Sequence, residues 1–131
     1  MRRLISLNPT VRCIGVANCL GVSAAGCETA PEYLKQAGLT ASIRHNGLEA
    51  YWPESLQPDA SKNLGELLRR VANATAAAIA VGDRPLVIGG DHSTAAGTWR
   101  GIGRALGTAP GLIWIDAHLD AHTPASSPSG N

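Results

Sequence analysis

Two short apolar runs, each ending in a cluster of acidic, imidazole and glycine residues, constrain this chain more than any other feature. Pro85-Leu-Val-Ile88 leads into Gly89-Gly-Asp-His-Ser93, and Gly111-Leu-Ile-Trp-Ile115 leads into Asp116-Ala-His-Leu-Asp120. Continuously apolar runs bounded by turn residues read as strands buried on both faces, as in a parallel sheet. Parallel strands need crossover connections, and the segments between such runs here read as helices. In open α/β sheets, sites form beyond the carboxyl ends of strands, and both polar clusters stand there.

In an extended segment side chains alternate between faces, so Asp116, His118 and Asp120 would point one way. In a helix His118 would turn away from the other two. Gathering two carboxylates and an imidazole at the end of a buried strand is costly without compensation, which a divalent cation provides. The mixed oxygen and nitrogen donor set suits Mn, Fe, Co or Zn better than Mg or Ca. His92, beyond a neighbouring strand, can reach the same place. One bridging carboxylate would let two ions roughly 3.5–4 Å apart hold and acidify a water. Asp91 reads as a group that orients His92 or the loop backbone. The alternative makes Asp116 a cap or turn former and His118 a hydrogen-bonded surface residue.

The rest of the chain supplies the layers. Val11–Val16 reads as a first strand, and Asn18–Gly26 as a loop. Thr29 caps a short helix with Pro31 in its first turn and Gly38 at its end. Ala41–Arg44 reads as a short strand, His45-Asn46-Gly47 as a turn, and 49–59 as irregular around Trp52, Pro53 and Pro58. Ser61–Val81 is the clearest helix, with Leu64, Leu67, Leu68, Val71, Ala78 and Ile79 on one stripe, Thr75 its polar member and Gly82 its stop. Ser93–Leu106 reads as a helix with Ala96, Trp99, Ile102 and Leu106 on one face, weakened by Gly97, Gly101 and Gly103 and closed by Gly107. Trp99 and Trp114 read as core and Trp52 as loop packing. From Ala121 onward the composition is that of a loop.

Composition narrows the function. The chain has 131 residues, 44% hydrophobic and 16% charged, enough for one domain with a core. A net charge of +1 gives no electrostatic reason to expect nucleic acid as a partner. No stretch approaches the roughly 20 apolar residues of a membrane span. Arg2 and Arg3 precede no long apolar run, so no secretory leader is read and a cytoplasmic protein is expected. Cys13, Cys19 and Cys27 cannot all pair and match no zinc pattern, which favours reduced thiols. Asn73-Ala-Thr75 lies in a helix and is not read as a glycosylation site; Gly101-Ile-Gly103 is not a dinucleotide fingerprint; His45 is read as a turn residue.

At Gly89–Ser93 and Asp116–Asp120 the chain resembles the arginase (ureohydrolase) family, matching its first and second metal motifs. Thr123-Pro-Ala-Ser-Ser-Pro-Ser-Gly-Asn131 resembles the arginase substrate loop at the same spacing. Agmatinases and formiminoglutamases typically lack that loop pattern. The matching region runs from Pro85 to Asn131, and Glu32–Leu39 weakly resembles the family's first helix. The resemblance implies a three-layer α/β/α fold with a mostly parallel sheet, like arginases and deacetylases, incomplete in this chain. Residues 1–131 would be the N-terminal part of a single catalytic domain.

The resemblance also implies roles. His92 and Asp120 would bind one Mn ion, His118 the other, and Asp116 would bridge both. Asp116 and His118 would act catalytically through the metal-bound hydroxide, which converts L-arginine to L-ornithine and urea. Ser129 and Asn131 would bond the amino-acid end of the substrate, and Ser127 stands where the family has a Thr at the carboxylate. His122 replaces an Asn that binds the α-carboxylate, which leaves agmatine or a guanidino acid open as substrate. The family motif continues to a His-Gly, an Asp-x-Asp pair and a Glu, none of which follows here. The expected partners are therefore a complementary C-terminal polypeptide and, as in many family members, further copies in an oligomer. A non-catalytic half-domain that binds a partner chain remains the alternative.

Overall fold

The computed structural model describes residues 10–22, 25–117, 123 and 125–126. Val11–Val16 forms β1, the centre of a parallel sheet. It pairs residue for residue with β4, Arg84–Gly89, from Val11↔Arg84 to Val16↔Gly89. Because β4 takes that edge from end to end, two shorter strands share the other. β2, Ala50–Tyr51, lies beside Val11 and Arg12, and β3, Ser55–Leu56, beside Gly15 and Val16. A single 3₁₀ turn, Cys27–Thr29, leads into helix α1, Ala30–Gln36, followed by α2, Leu39–His45, α3, Leu64–Val81, and α4, Thr94–Leu106.

The alternation of β1 builds two cores. Ile14 and Val16 face Leu67 and Val71 of α3, joined by Leu56, Ala74 and Val87. Val11 and Cys13 face the other way, onto Ala50, with Ile43 of α2, Leu48, Trp52 and Ile88 packed against them. Gly15 points to that second face, where an added Cβ would lie 2.8 Å from the Trp52 ring and 3.2 Å from Pro31 of α1. Helices α1 and α2 therefore cover one face and α3 and α4 the other, giving the expected α/β/α layers. Fully burying a side chain such as Leu67 or Val71 contributes about 1.5–3 kcal/mol.

Helix α3 starts at Leu64 rather than Ser61. Ser61 is held in a turn by Asp59, which accepts from its amide at 3.0 Å, and Asn63 caps the helix by accepting from the Glu66 amide at 3.0 Å. Gly82, with φ 93°, closes it. Helix α4 turns an unexpected face inward. The buried residues are Thr94, Gly97 and Gly101, whereas Trp99 and Leu106 of the expected core face are exposed. The glycines let two backbones approach: a Cβ on Gly97 would sit 2.8 Å from the Leu68 carbonyl oxygen, and one on Gly101 2.6 Å from that of Ala72. What reads as a weakness in the helix is its contact surface with α3.

Other expectations are corrected. Ala41–Arg44 lies inside α2, not in a strand: Ile43 packs on the core, and Arg44 Nε donates to the Ala50 carbonyl at 2.8 Å. An apolar run that short does not distinguish helix from strand. His45, read as a turn residue, ends α2, and the turn follows at Asn46 and Gly47, with φ 84° at Gly47. The 49–59 stretch holds β2 and β3, separated by Trp52-Pro53-Glu54, where proline has no amide for a ladder. Gly111–Ile115 is not a strand. It pairs with none of the described strands, and Ile113 and Ile115 are 89% and 93% exposed. Trp114 is likewise exposed rather than core. Among the described residues no helix is long and apolar enough to cross a membrane.

Two substitutions in α4 separate its faces. Gly101→Ala is expected to destabilise the fold by about 1–3 kcal/mol through overpacking against Ala72. Gly103→Ala, which meets nothing within 4 Å, is expected to stabilise it by up to about 1 kcal/mol. Urea denaturation of both variants checks the opposite signs.

Candidate metal centre

The carboxyl ends of β1 and β4 continue into two loops that remain bonded to each other. Gly90 donates its amide to Val16 O at 3.0 Å, and Asp91 its amide to Asn18 O at 3.0 Å. Gly90 must be glycine here, since a Cβ would fall 2.1 Å from Asn18 O and 3.0 Å from Cys27 O. The Asp91 carboxylate is buried and accepts four hydrogen bonds. One oxygen takes Asn18 Nδ2 at 2.9 Å and the Gly21 amide at 2.8 Å; the other takes the Ser93 amide at 2.9 Å and the Ser93 hydroxyl. Such a carboxylate organises loops, as expected for Asp91.

His92 projects from between these two fixed residues. Its Nδ1 lies 3.4 Å from Asp116 Oδ2, and its ring stacks on Trp114 with centroids 5.1 Å apart at 23°. The Asp116 side chain is 20% exposed although the residue as a whole is open, so its exposure lies mainly in the backbone. A cavity of about 760 Å³ opens beside the pair, walled by Val87, Trp99, Ile102, Leu112 and Trp114. On the other side, Cys27 Sγ contacts Asn18 O at 3.6 Å. The Cys19 thiol is held above its ordinary range, chiefly by its hydrogen bond to Glu28. Hydrogen bonds from its own amide and that of Gly26 hold the Glu28 carboxyl below its ordinary range.

Among the described residues no three His, Cys, Asp or Glu side chains gather for a metal ion; His92 and Asp116 are one nitrogen and one oxygen donor. Two donors each roughly 2.1 Å from a common ion stand roughly 3.0–3.4 Å apart at angles of roughly 90–110°. The imidazole nitrogen and carboxylate oxygen, carried on separate segments, have that spacing and a mixed N/O character. His118, Asp120, His122, Ser127, Ser129 and Asn131 lie outside the described residues. Within the 123–131 stretch, Thr123 and Ser126 close a turn, with the Ser126 amide on Thr123 O and the Thr123 amide on Ser126 Oγ, both 2.9 Å. Asn18, which reads only as a loop residue, was missed. The available signal is weak: one amide side chain just beyond a buried strand.

A sequence model of the arginase family matches residues 10–131. The arginase of Brevibacillus brevis is 31% identical and aligns with 95% of this chain and 46% of its own length. The hepatic arginase of Aquarana catesbeiana is 33% identical over 93% of this chain and 42% of its own. A crystal structure of arginase from Bacillus subtilis superimposes with a TM-score of 0.85 at 30% identity, over 93% of this chain and 43% of that one. The chain thus spans under half the length of the relatives it matches.

Gly90→Ala is expected to destabilise the protein by about 3 kcal/mol or more, because backbone rather than a flexible side chain must move. Thermal melting checks it, with Gly26→Ala, at positive φ but in open space, expected to have the smaller effect.

Proposed function

The chain belongs to the arginase family, and from that premise we propose that it carries one part of a binuclear manganese centre that hydrolyses L-arginine to L-ornithine and urea. The observation that carries this reading is the meeting of His92 and Asp116 at 3.4 Å, from segments following two different apolar runs. Residues 1–131 would be the N-terminal part of one catalytic domain. His92 and Asp120 would hold one cation, His118 the other, and Asp116 would stand between them. When bound, the cations would acidify a water and so supply the nucleophile. Asp91 would keep the His92 loop in place, while His122, Ser127, Ser129 and Asn131 would receive the amino-acid end of the substrate. Manganese is the proposed metal, with Fe, Co or Zn compatible with the same donors.

Activity would draw on the remainder of the family's length, which these 131 residues do not span. The exposed apolar stretch Leu112–Ile115 and the adjoining cavity give that remainder a surface to cover. The assembled protein would act in the cytoplasm, as an oligomer, on a small guanidino substrate. His122 favours a second reading, in which agmatine or a guanidino acid is the substrate, because a histidine offers fewer hydrogen bonds than the asparagine it replaces.

The test measures urea released with Mn²⁺ from L-arginine, agmatine and guanidinobutyrate, by these residues alone and together with the rest of the family's length. Release from arginine only in the presence of both parts is expected. Preference for agmatine or guanidinobutyrate overturns the arginine assignment, and no release in any combination overturns the hydrolase reading. His92→Ala is expected to weaken Mn²⁺ binding by more than about tenfold, since losing a group that merely orients a ligand already costs that much.

A further inference from the structure

The geometry points to Asn18 as a positioning residue for His92, acting through Asp91 to hold the imidazole where a divalent cation would meet it. This rests on the metal-centre reading above and extends it to a residue on another strand's loop. Asn18 is fully buried, and both polar atoms of its side chain are bonded to the β4 loop or to its own. Its Nδ2 donates to Asp91 Oδ2 at 2.9 Å and to Ser93 Oγ at 3.2 Å, its Oδ1 accepts from the Leu20 amide at 2.9 Å, and its carbonyl accepts from the Asp91 amide at 3.0 Å. The residues on both sides of His92 are therefore bonded to one side chain 73 and 75 positions away. His92 itself is different: its side chain is 48% exposed and touches Asp116 and Trp114 on the open side. Asp116 and Trp114 meet the imidazole on its open side, and Asn18 anchors the two residues that flank its backbone.

Truncating Asn18 removes one donor from Asp91 and one from the Ser93 hydroxyl, which keeps its own bond to Asp91, and leaves the Leu20 amide without its acceptor; Asn18 belongs to neither apolar core. Metal affinity should fall because His92 is no longer presented, and a group that acts only through His92 has nothing to contribute once His92 is gone. That makes the pair non-additive, which a general loss of stability would not produce.

The experiment follows Mn²⁺ binding to the full chain by the electron paramagnetic resonance signal of the free ion. The variants are Asn18→Ala, His92→Ala, their combination, and Leu67→Ala as a destabilised control remote from the loops. Asn18→Ala is expected to weaken binding about tenfold, and the double variant to bind no more weakly than His92→Ala. Leu67→Ala should bind like the unaltered chain at temperatures where it is folded. Asn18→Ser, which keeps a shorter donor, carries the same cycle should Asn18→Ala not fold. Effects of Asn18 and His92 that add, or an equal loss in Leu67→Ala, overturn the role of Asn18 alone. Absence of Mn²⁺ binding by the unaltered chain, or binding indifferent to His92→Ala, overturns the metal-centre reading on which it rests.

Discussion

The parallel register between β1 and β4 determines where everything at the carboxyl end of the sheet lies. Ile14 stands opposite Val87 on the α3 face and Gly15 opposite Ile88 on the other, so a slip of one residue would turn each apolar side chain to the wrong layer. The same register puts Gly90 under the Val16 carbonyl and Asp91 under that of Asn18. The loops are thus continuations of the ladder, and His92 inherits its position from a hydrophobic core several residues away. Packing of Ile14, Val16, Leu67 and Val71 is in this sense the foundation of the chemistry above it.

Glycine plays the same part in the two regions that matter. In α4, Gly97 and Gly101 bring one helix backbone close to another, at the expense of intrinsic helix propensity. At the loop, Gly90 brings backbone against backbone so that Asp91 can reach across to Asn18 and Gly21. Both are close-approach roles. Neither depends on a positive φ, which glycine adopts elsewhere in the chain, as in the turn at Gly47 and at the helix ends Gly82 and Gly107.

Where the sequence signal was local, it could be read. The β1 strand, the long α3 stripe, the glycine stops and the apolar β4 run each announce themselves within a dozen residues. What was hidden depended on distant partners. β2 and β3 exist only because β1 lies beside them, and Ala41–Arg44 is helical because Ile43 finds the core from that geometry. The inward face of α4 is not legible from its large residues, because the neighbouring helix requires small ones there. Within the site, His92 and Asp116 could be named from motif spacing, but Asn18 could not, since its importance arises from a bond spanning 73 residues.

The stretch from Leu112 to Ile115 brings a different consequence. It is uncharged, rich in β-branched and aromatic residues, and laid open to water, and β4 offers an edge unpaired among the described residues. Segments of this composition stack readily into intermolecular ladders. Handling this polypeptide by itself is therefore a problem of colloidal behaviour as much as of enzymology: dilution, low temperature and an early covering chain would decide how much of it stays dispersed.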